Sequence, residues 1–117
     1  MSVQVIVVAL CFAFMGLAAF ARPRTLVAPL GLIADTPDAR NEVQAVYGGF
    51  GLAVAGTLLA SLWYPQYRDG VIVAVAASLA GMAGGRAVAA LRERPGRLPV
   101  VFFVIEAVGA ALLISAL

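Results

Sequence analysis

Residues 3–21 read VQVIVVALCFAFMGLAAFA, a run of nineteen residues with no charged side chain. A helix rises about 1.5 Å per residue, so a run of this length can cross about 30 Å of hydrocarbon. The nearest basic residues, Arg22 and Arg24, follow the run and none precedes it, which favours a retained transmembrane helix over a cleaved signal peptide. We therefore expect a first membrane span at residues 3–21.

Three more apolar runs of similar length follow, at about residues 43–63, 71–91 and 98–117. The chain has 117 residues, of which 63% are hydrophobic and 12% charged, whereas soluble domains are about half apolar and a quarter charged. Four spans and three short connections take up this length, which leaves no room for a soluble domain. The sequence therefore predicts an all-α fold in which residues 1–117 form a single integral membrane domain, a four-helix transmembrane bundle.

The connections between the apolar runs carry most of the charge. Residues 36–38 read Thr-Pro-Asp, which is typical of a helix start with Thr36 as the N-cap, so the second helix should begin in the aqueous interface. Residues 68–70 read Arg-Asp-Gly, where we expect a tight turn. By the positive-inside rule the arginines predict that both termini lie outside the cytoplasm. Arg68 lies alone on the outer side, and the arginines of the opposite side are Arg22, Arg24, Arg40, Arg92, Arg94 and Arg97.

The composition excludes several kinds of functional site. The chain has no histidine and a single cysteine, Cys11, so it can form neither an internal disulfide nor a metal site built from Cys and His ligands. Its glycine-rich segments do not end in Lys-Ser or Lys-Thr, which a phosphate-binding loop requires. The pI of 9.2 reflects arginines at the span ends, a signal of membrane topology. We therefore expect no metal, no cofactor and no nucleic-acid partner.

Small residues recur at every fourth position in the second and third predicted spans, and Gly49, Ala53, Gly81 and Gly85 lie in these two stripes. Lipid tails are as apolar as leucine, so membrane helices associate by close packing through small residues and by polar contacts. The stripes predict that the second and third helices pack face to face. The alternative is that alanine and glycine are frequent enough in this chain to produce such spacing by chance.

Three ionisable residues lie within the predicted spans or at their mouth: Glu42, Arg86 and Glu106. A charged group near mid-bilayer costs about 2.5 to 3.5 kcal/mol on insertion scales, so Arg86 and Glu106, at similar depth, should form an ion pair. Glu42 stands seven positions before Gly49, about 20° from it around an α-helix, and should face the bundle interior as a second carboxylate for Arg86. Tyr47 either hydrogen-bonds to this cluster or only packs.

Three interpretations of this intramembrane cluster stay open on the sequence alone. The first is a buried ionic clamp that fixes helix register, a role known for buried polar groups. The second is a polar cavity open to the cytoplasm, where Glu106 binds a proton, a cation or an amine, or Arg86 binds an anionic headgroup. The third is that Arg86 reaches the headgroups alone while Glu106 stays uncharged.

Several of these residues also carry a resemblance to a known family. Residues 40–42 (Arg-Asn-Glu), residues 45–49 (Ala-Val-Tyr-Gly-Gly), the Gly85-Arg86 pair and Glu106 resemble a family of small bacterial four-helix membrane proteins, a domain of unknown function that is distantly similar to DoxX-type proteins. The resemblance covers nearly the whole chain, and residues 41–49 are its specific part. It implies a four-helix bundle and directs attention to Asn41, Glu42, Tyr47, Arg86 and Glu106, but it implies no activity or cofactor.

The function expected from these observations is non-enzymatic. Because a chain with little surface outside the bilayer contacts mainly lipid and other membrane helices, we expect an accessory or assembly subunit, or a lipid-binding module, of a larger membrane complex. Its partners would be membrane lipids and other membrane-protein subunits, or further copies of itself. The competing expectation is a small transporter or channel that uses Glu42, Arg86 and Glu106 as its proton or ion site. An enzyme has the weakest support, because no histidine, metal site or activated nucleophile is present.

Overall fold

The computed structural model describes residues 2–117, and this part of the chain forms helices and no β-strand. A π-helical turn, Gln44–Gly49, lies inside one continuous helix, Pro37–Ala60. The predicted all-α fold is confirmed. The α-helices of the described chain are α1 (Ser2–Ala21), α2 (Pro23–Val27), α3 (Pro37–Val43), α4 (Phe50–Ala60), α5 (Pro65–Arg92) and α6 (Arg97–Ser115).

Four helices in the described chain are long and apolar enough to cross a membrane: Val3–Ala21, Pro37–Ala60, Pro65–Arg92 and Arg97–Ser115. The second of them begins six residues before the apolar run at 43–63, because polar residues continue the helix toward its cap. The Thr36 side chain accepts a hydrogen bond from the Ala39 amide at 3.0 Å, so the predicted N-cap is confirmed.

The expected tight turn at residues 68–70 is wrong, because these residues lie inside α5. Helix α4 ends at Ala60, and Pro65 stands in the first turn of α5, where its missing N–H leaves no hydrogen bond unmade. The chain therefore reverses before Pro65. Arg68 then lies one turn inside α5 and donates from Nη2 to the Ala116 carbonyl oxygen at 2.8 Å, which joins the start of α5 to the end of α6.

The long helices pack as two pairs. Helix α1 packs along the π-helical turn and α4, while α5 packs along α6, and a contact between α1 and α6 joins the pairs. The buried core includes Val5, Leu58, Ile72 and Leu113, one from each long helix, and each has 0% of its surface exposed. The molecule measures 42 × 33 × 17 Å, so its long helices form a flat assembly and keep large uncovered sides.

Glycines set the distance between α1 and the second long helix. A Cβ on Gly16 would lie 2.9 Å from the Gly48 carbonyl oxygen, and a Cβ on Gly51 would lie 3.1 Å from the Phe12 carbonyl oxygen. Neither approach leaves room for a larger side chain without movement of the backbone. Close packing of this pair therefore depends on small residues in both helices, as expected for helices in lipid.

The predicted packing of the second helix on the third through Gly49, Ala53, Gly81 and Gly85 is wrong. Among the described residues, no side chain and no other helix lies within 4 Å of the place that a Cβ would take on Gly81 or Gly85. Ala53 is exposed, and the nearest atom to a Cβ on Gly49 belongs to Gln44 of the same helix, at 3.9 Å. The reason is that α1 occupies the close-packed side of the second helix, while α5 turns its buried side to α6.

Candidate functional site

Arg86 and Glu106 face each other across the hairpin that α5 and α6 form. Arg86 lies six residues before Arg92, the last residue of α5, which is about 9 Å along the helix axis. Glu106 lies nine residues after Arg97, the first residue of α6, which is about 13 Å from that end. The long side chain of Arg86 bridges this difference in depth, so the two charged groups meet within the apolar part of the hairpin.

The contact is a two-bond fork between the guanidinium and the carboxylate. Arg86 Nε donates to Glu106 Oε1 at 2.7 Å, and Arg86 Nη2 donates to Oε2 at 3.0 Å. The Glu106 side chain is 11% exposed and that of Arg86 is 33% exposed. Bidentate pairs of this kind are among the stronger and more directional hydrogen bonds in proteins. The predicted Arg86–Glu106 ion pair is confirmed.

Phe102 completes the surroundings of the guanidinium. The Arg86 Cζ atom lies 5.3 Å from the centroid of the Phe102 ring, within the range of a cation–π contact. Phe102 stands four residues before Glu106 on α6, so both side chains project from one face of that helix toward α5. The fork uses Nε and Nη2, and within residues 2–117 no hydrogen bond involves Nη1. Arg86 thus keeps donors for another acceptor.

Glu42 and Asn41 do not join this pair. Both are exposed, and within the described residues neither side chain takes part in a hydrogen bond or an ion pair. The prediction that Glu42 faces the bundle interior is therefore wrong. It assumed a regular α-helix up to Gly49, but the π-helical turn Gln44–Gly49 holds an extra residue and rotates Glu42 by about 100° relative to the residues that follow.

Tyr47 lies in the π-helical turn and is half-buried. Within residues 2–117 the phenol makes no hydrogen bond, so the structure shows the packing alternative for this residue. Of the five predicted cluster residues, the structure brings Arg86 and Glu106 into contact, and among the described residues neither forms a hydrogen bond or ion pair with Asn41, Glu42 or Tyr47.

These positions separate the three interpretations of the cluster. The third interpretation, in which Arg86 reaches the headgroups without a partner, is excluded because both carboxylate oxygens of Glu106 accept hydrogen bonds from Arg86. The second interpretation needs two carboxylates in one cavity, Glu106 and Glu42, but Glu42 is exposed and does not join the pair. The arrangement that the structure shows matches an ionic clamp, which links α5 to α6 at one register.

A groove of about 300 Å³ lies against α5, α6 and their connection, and Arg86 of the ion pair lines it. Apart from Arg86, its lining residues are apolar. We call it the hairpin groove, and it is lined by Arg86, Ala87, Ala90, Pro95, Pro99, Val100 and Phe103.

Two arginines of the first connection have structural roles. Arg24 Nε and Arg40 Nη1 donate to the carbonyl oxygen of Ala34, at 3.4 and 3.2 Å, and Arg24 Nε lies 3.8 Å from Asp35 Oδ1. Ala34 is 3% exposed, so this carbonyl group needs hydrogen-bond donors from side chains. The sequence pattern predicts only a topological role for these arginines and does not reveal this one.

Two further features of the site were missed. Phe102 could have been found from its spacing of four residues before Glu106, which places both on one helix face. Gly48 and Gly51 have a spacing of three, which the search for residues at every fourth position passed over. For metal binding, no group of three or more His, Cys, Asp or Glu side chains in the described chain could hold an ion.

Comparison with known proteins gives one match. A family model described as a domain of unknown function, DUF4345, matches residues 1–117. No curated protein and no solved structure is significantly similar to the chain. The matched region includes all four long helices, the ion pair and the hairpin groove.

Proposed function

We propose that this chain, which belongs to the DUF4345 family, is a non-enzymatic integral membrane protein that serves a larger membrane complex. Within that complex it would be an accessory or assembly subunit, or a lipid-binding module. The resemblance to a family of unknown function is confirmed by the family match, and the family assigns no activity. The argument for the proposal therefore comes from the helix surfaces.

The observation that carries this proposal is an uncovered side of α5 made of small residues. Among the described residues, nothing lies within 4 Å of a Cβ placed on Gly81, Gly84 or Gly85, and Ala77 and Ser78 beside them are exposed. We call these five residues the open α5 face. Small residues allow another helix backbone to approach closely, which is the main source of helix association in lipid. The face supports binding of a helix from another membrane subunit or from a second copy of this chain.

The low burial of the fourth helix points the same way. In the most apolar 18-residue stretch of Arg97–Ser115, 11% of the residues are buried inside the chain. The corresponding share for Val3–Ala21 is 33%. The fourth helix therefore contacts lipid or other proteins along most of its length. A membrane location follows from the four long apolar helices, and we further propose a bacterial inner membrane, both termini outside the cytoplasm and a distant relation to DoxX-type proteins.

The transporter or channel alternative has less support. It needs a carboxylate that can exchange a proton or an ion, but both oxygens of Glu106 are engaged by Arg86. Glu42 lies outside the cluster and is exposed. We therefore favour the subunit proposal, and a search for co-purifying partners distinguishes the two.

That experiment is purification of the tagged protein from its own membrane in a gentle detergent, followed by mass spectrometry of the proteins that elute with it. We expect a stoichiometric membrane-protein partner or a defined homo-oligomer. Gly85→Leu should reduce recovery of that partner at least about ten-fold, because the added side chain blocks close helix approach. Gly56→Leu is the matched control, since Gly56 also lies in a long helix with no described atom within 4 Å of its Cβ position.

Two results would contradict the proposal. One is a wild-type monomer with no protein partner, and the other is a partner that Gly85→Leu retains in full. A monomer whose Glu106→Gln variant loses ion or proton flux while it stays folded would favour the transporter alternative.

A further inference from the structure

The connection between α5 and α6 borders the hairpin groove through Pro95, and we call this connection the rim. The rim is strongly basic. The connection between α5 and α6 carries Arg92, Arg94 and Arg97 and one acid, Glu93, so its net charge is +2. All four residues are exposed, and within residues 2–117 none of the three arginines is in an ion pair. The arginines are therefore available to an anionic group at this end of the molecule.

Not every arginine at this end is equally available. Arg24 is held by Asp35 and by the Ala34 carbonyl oxygen, and Arg40 is held by the same carbonyl oxygen. In the described chain Arg22 is exposed and makes no such contact, but it directly follows α1 and lies outside the α5–α6 connection. The hairpin rim is thus the place where basic side chains adjoin an apolar recess.

The interior of the groove complements this rim. Below the arginines its walls are Ala87, Ala90, Val100 and Phe103, which offer no polar side chain. At its deep end lies Arg86, whose Nη1 donors are not used in the fork to Glu106. Arg86 stands about 9 Å along the helix axis from Arg92, hence deeper in the membrane than the rim. From outside inward, the groove presents positive charge, then apolar walls with one set of hydrogen-bond donors.

A phospholipid likewise has a charged group at the membrane surface and apolar chains below it. Its phosphate lies at the membrane surface, its ester carbonyl groups lie just below, and its acyl chains continue into the hydrocarbon. Basic residues near an anionic membrane surface each contribute about a five-fold gain in binding, which corresponds to about 1 kcal/mol.

We propose that the hairpin groove binds one anionic phospholipid. Its phosphate contacts Arg94 and Arg97, and one acyl chain runs along the apolar walls past Val100 and Phe103. The net charge of the rim selects an anionic headgroup over a zwitterionic one. This inference deepens the lipid-binding part of the proposed function and rests on the chain lying in a membrane.

The test is a lipid titration of the purified, delipidated protein in detergent, read by native mass spectrometry as the number and occupancy of bound lipids. The probes are dioleoylphosphatidylglycerol and dioleoylphosphatidylcholine, which share acyl chains and differ in headgroup charge. We expect one phosphatidylglycerol to bind at least about ten-fold more tightly than phosphatidylcholine.

Matched variants locate the site. The double change Arg94→Gln with Arg97→Gln should weaken phosphatidylglycerol binding about 25-fold, about five-fold for each arginine. Arg22→Gln should leave binding unchanged, because Arg22 follows α1, whereas Arg94 and Arg97 belong to the connection whose Pro95 lines the groove. Val100→Trp should weaken binding of both lipids about ten-fold by filling the groove. Val101→Trp, at the neighbouring exposed valine outside the groove, should not.

Equal binding of the two lipids, or a headgroup preference that survives in the Arg94 and Arg97 double variant, would overturn this inference. So would equal effects of the Val100 and Val101 variants. These measurements use the purified chain without a partner, so they can fail while the partner experiment succeeds, and the reverse also holds.

Discussion

The fork between Arg86 and Glu106 joins two helices by two charge-assisted bonds, 2.7 and 3.0 Å long, in an apolar setting. A buried ion pair contributes little when it is compared with a well-packed apolar pair, but the loss of one partner leaves the other charge uncompensated. An unpaired Glu106 carboxylate would be the more costly of the two charges, because the Glu106 side chain is 11% exposed whereas that of Arg86 is 33% exposed. The pair therefore matters most through the penalty for breaking it.

This argument gives a double-mutant prediction. Arg86→Met and Glu106→Gln should each destabilise the protein by about 2 kcal/mol, somewhat below the usual cost for a deeply buried pair because Arg86 is part-exposed. The two changes together should recover most of that loss. Thermal unfolding in detergent measures it, with Asp35→Asn in the exposed Arg24–Asp35 pair as a control of little effect. Additive losses in the double variant would show that the two residues act independently.

The Arg86–Glu106 contact could be predicted from the sequence, because an arginine and a glutamate at similar depth in lipid have strong reason to pair. The position of Glu42 could not be predicted from the sequence. Its predicted direction depended on regular α-helical periodicity across residues 44–49, and nothing in the sequence of that segment distinguishes a π-helical turn from an α-helical one. A single extra residue in the turn was enough to place Glu42 on the exposed side.

Among the helices, the pairing of α1 with the second long helix was missed for a related reason. A four-residue period in the second helix identifies Gly49 and Ala53, whereas the observed contact uses Gly48 and Gly51. The number and positions of the long apolar helices could be predicted, because hydrophobic length alone sets them. Which sides meet depends on rotation about each axis, and apolar residues surround these helices on most sides, so hydrophobic patterning gives little information about it.

The rotation of the second helix can be tested with two glycines that stand two positions apart. Gly51→Leu should destabilise the protein by about 1 to 3 kcal/mol, because even a Cβ at this position lies 3.1 Å from a backbone oxygen of α1. Gly49→Leu should change stability little, since no neighbouring helix lies within 4 Å of its Cβ position. Unfolding midpoints in detergent compare the two variants. The opposite order would mean that the second helix is rotated from the position described.

For the whole molecule, the flat shape and the distribution of charge are linked. With extents of 42 × 33 × 17 Å, the chain covers few of its own helix sides, so lipid or partner helices must cover the rest. The arginine-rich connections lie at one end of the long helices, and Arg68 lies at the opposite end beside Ala116. The chain therefore offers its surroundings one basic end and one nearly neutral end, separated by the length of the helices.

This asymmetry predicts a single orientation in the membrane, because arginines near span ends stay on the cytoplasmic side. In a Cys11→Ser background, Asp69→Cys and Glu93→Cys each place one thiol at opposite ends and each remove one exposed acid, so every arginine is kept. A membrane-impermeant maleimide should label Asp69→Cys in intact bacterial cells, and Glu93→Cys only after permeabilisation. If Glu93→Cys alone were labelled in intact cells, the protein would have the opposite orientation to the predicted one. Equal labelling of both would show insertion in both directions, which a six-to-one division of the connecting arginines disfavours.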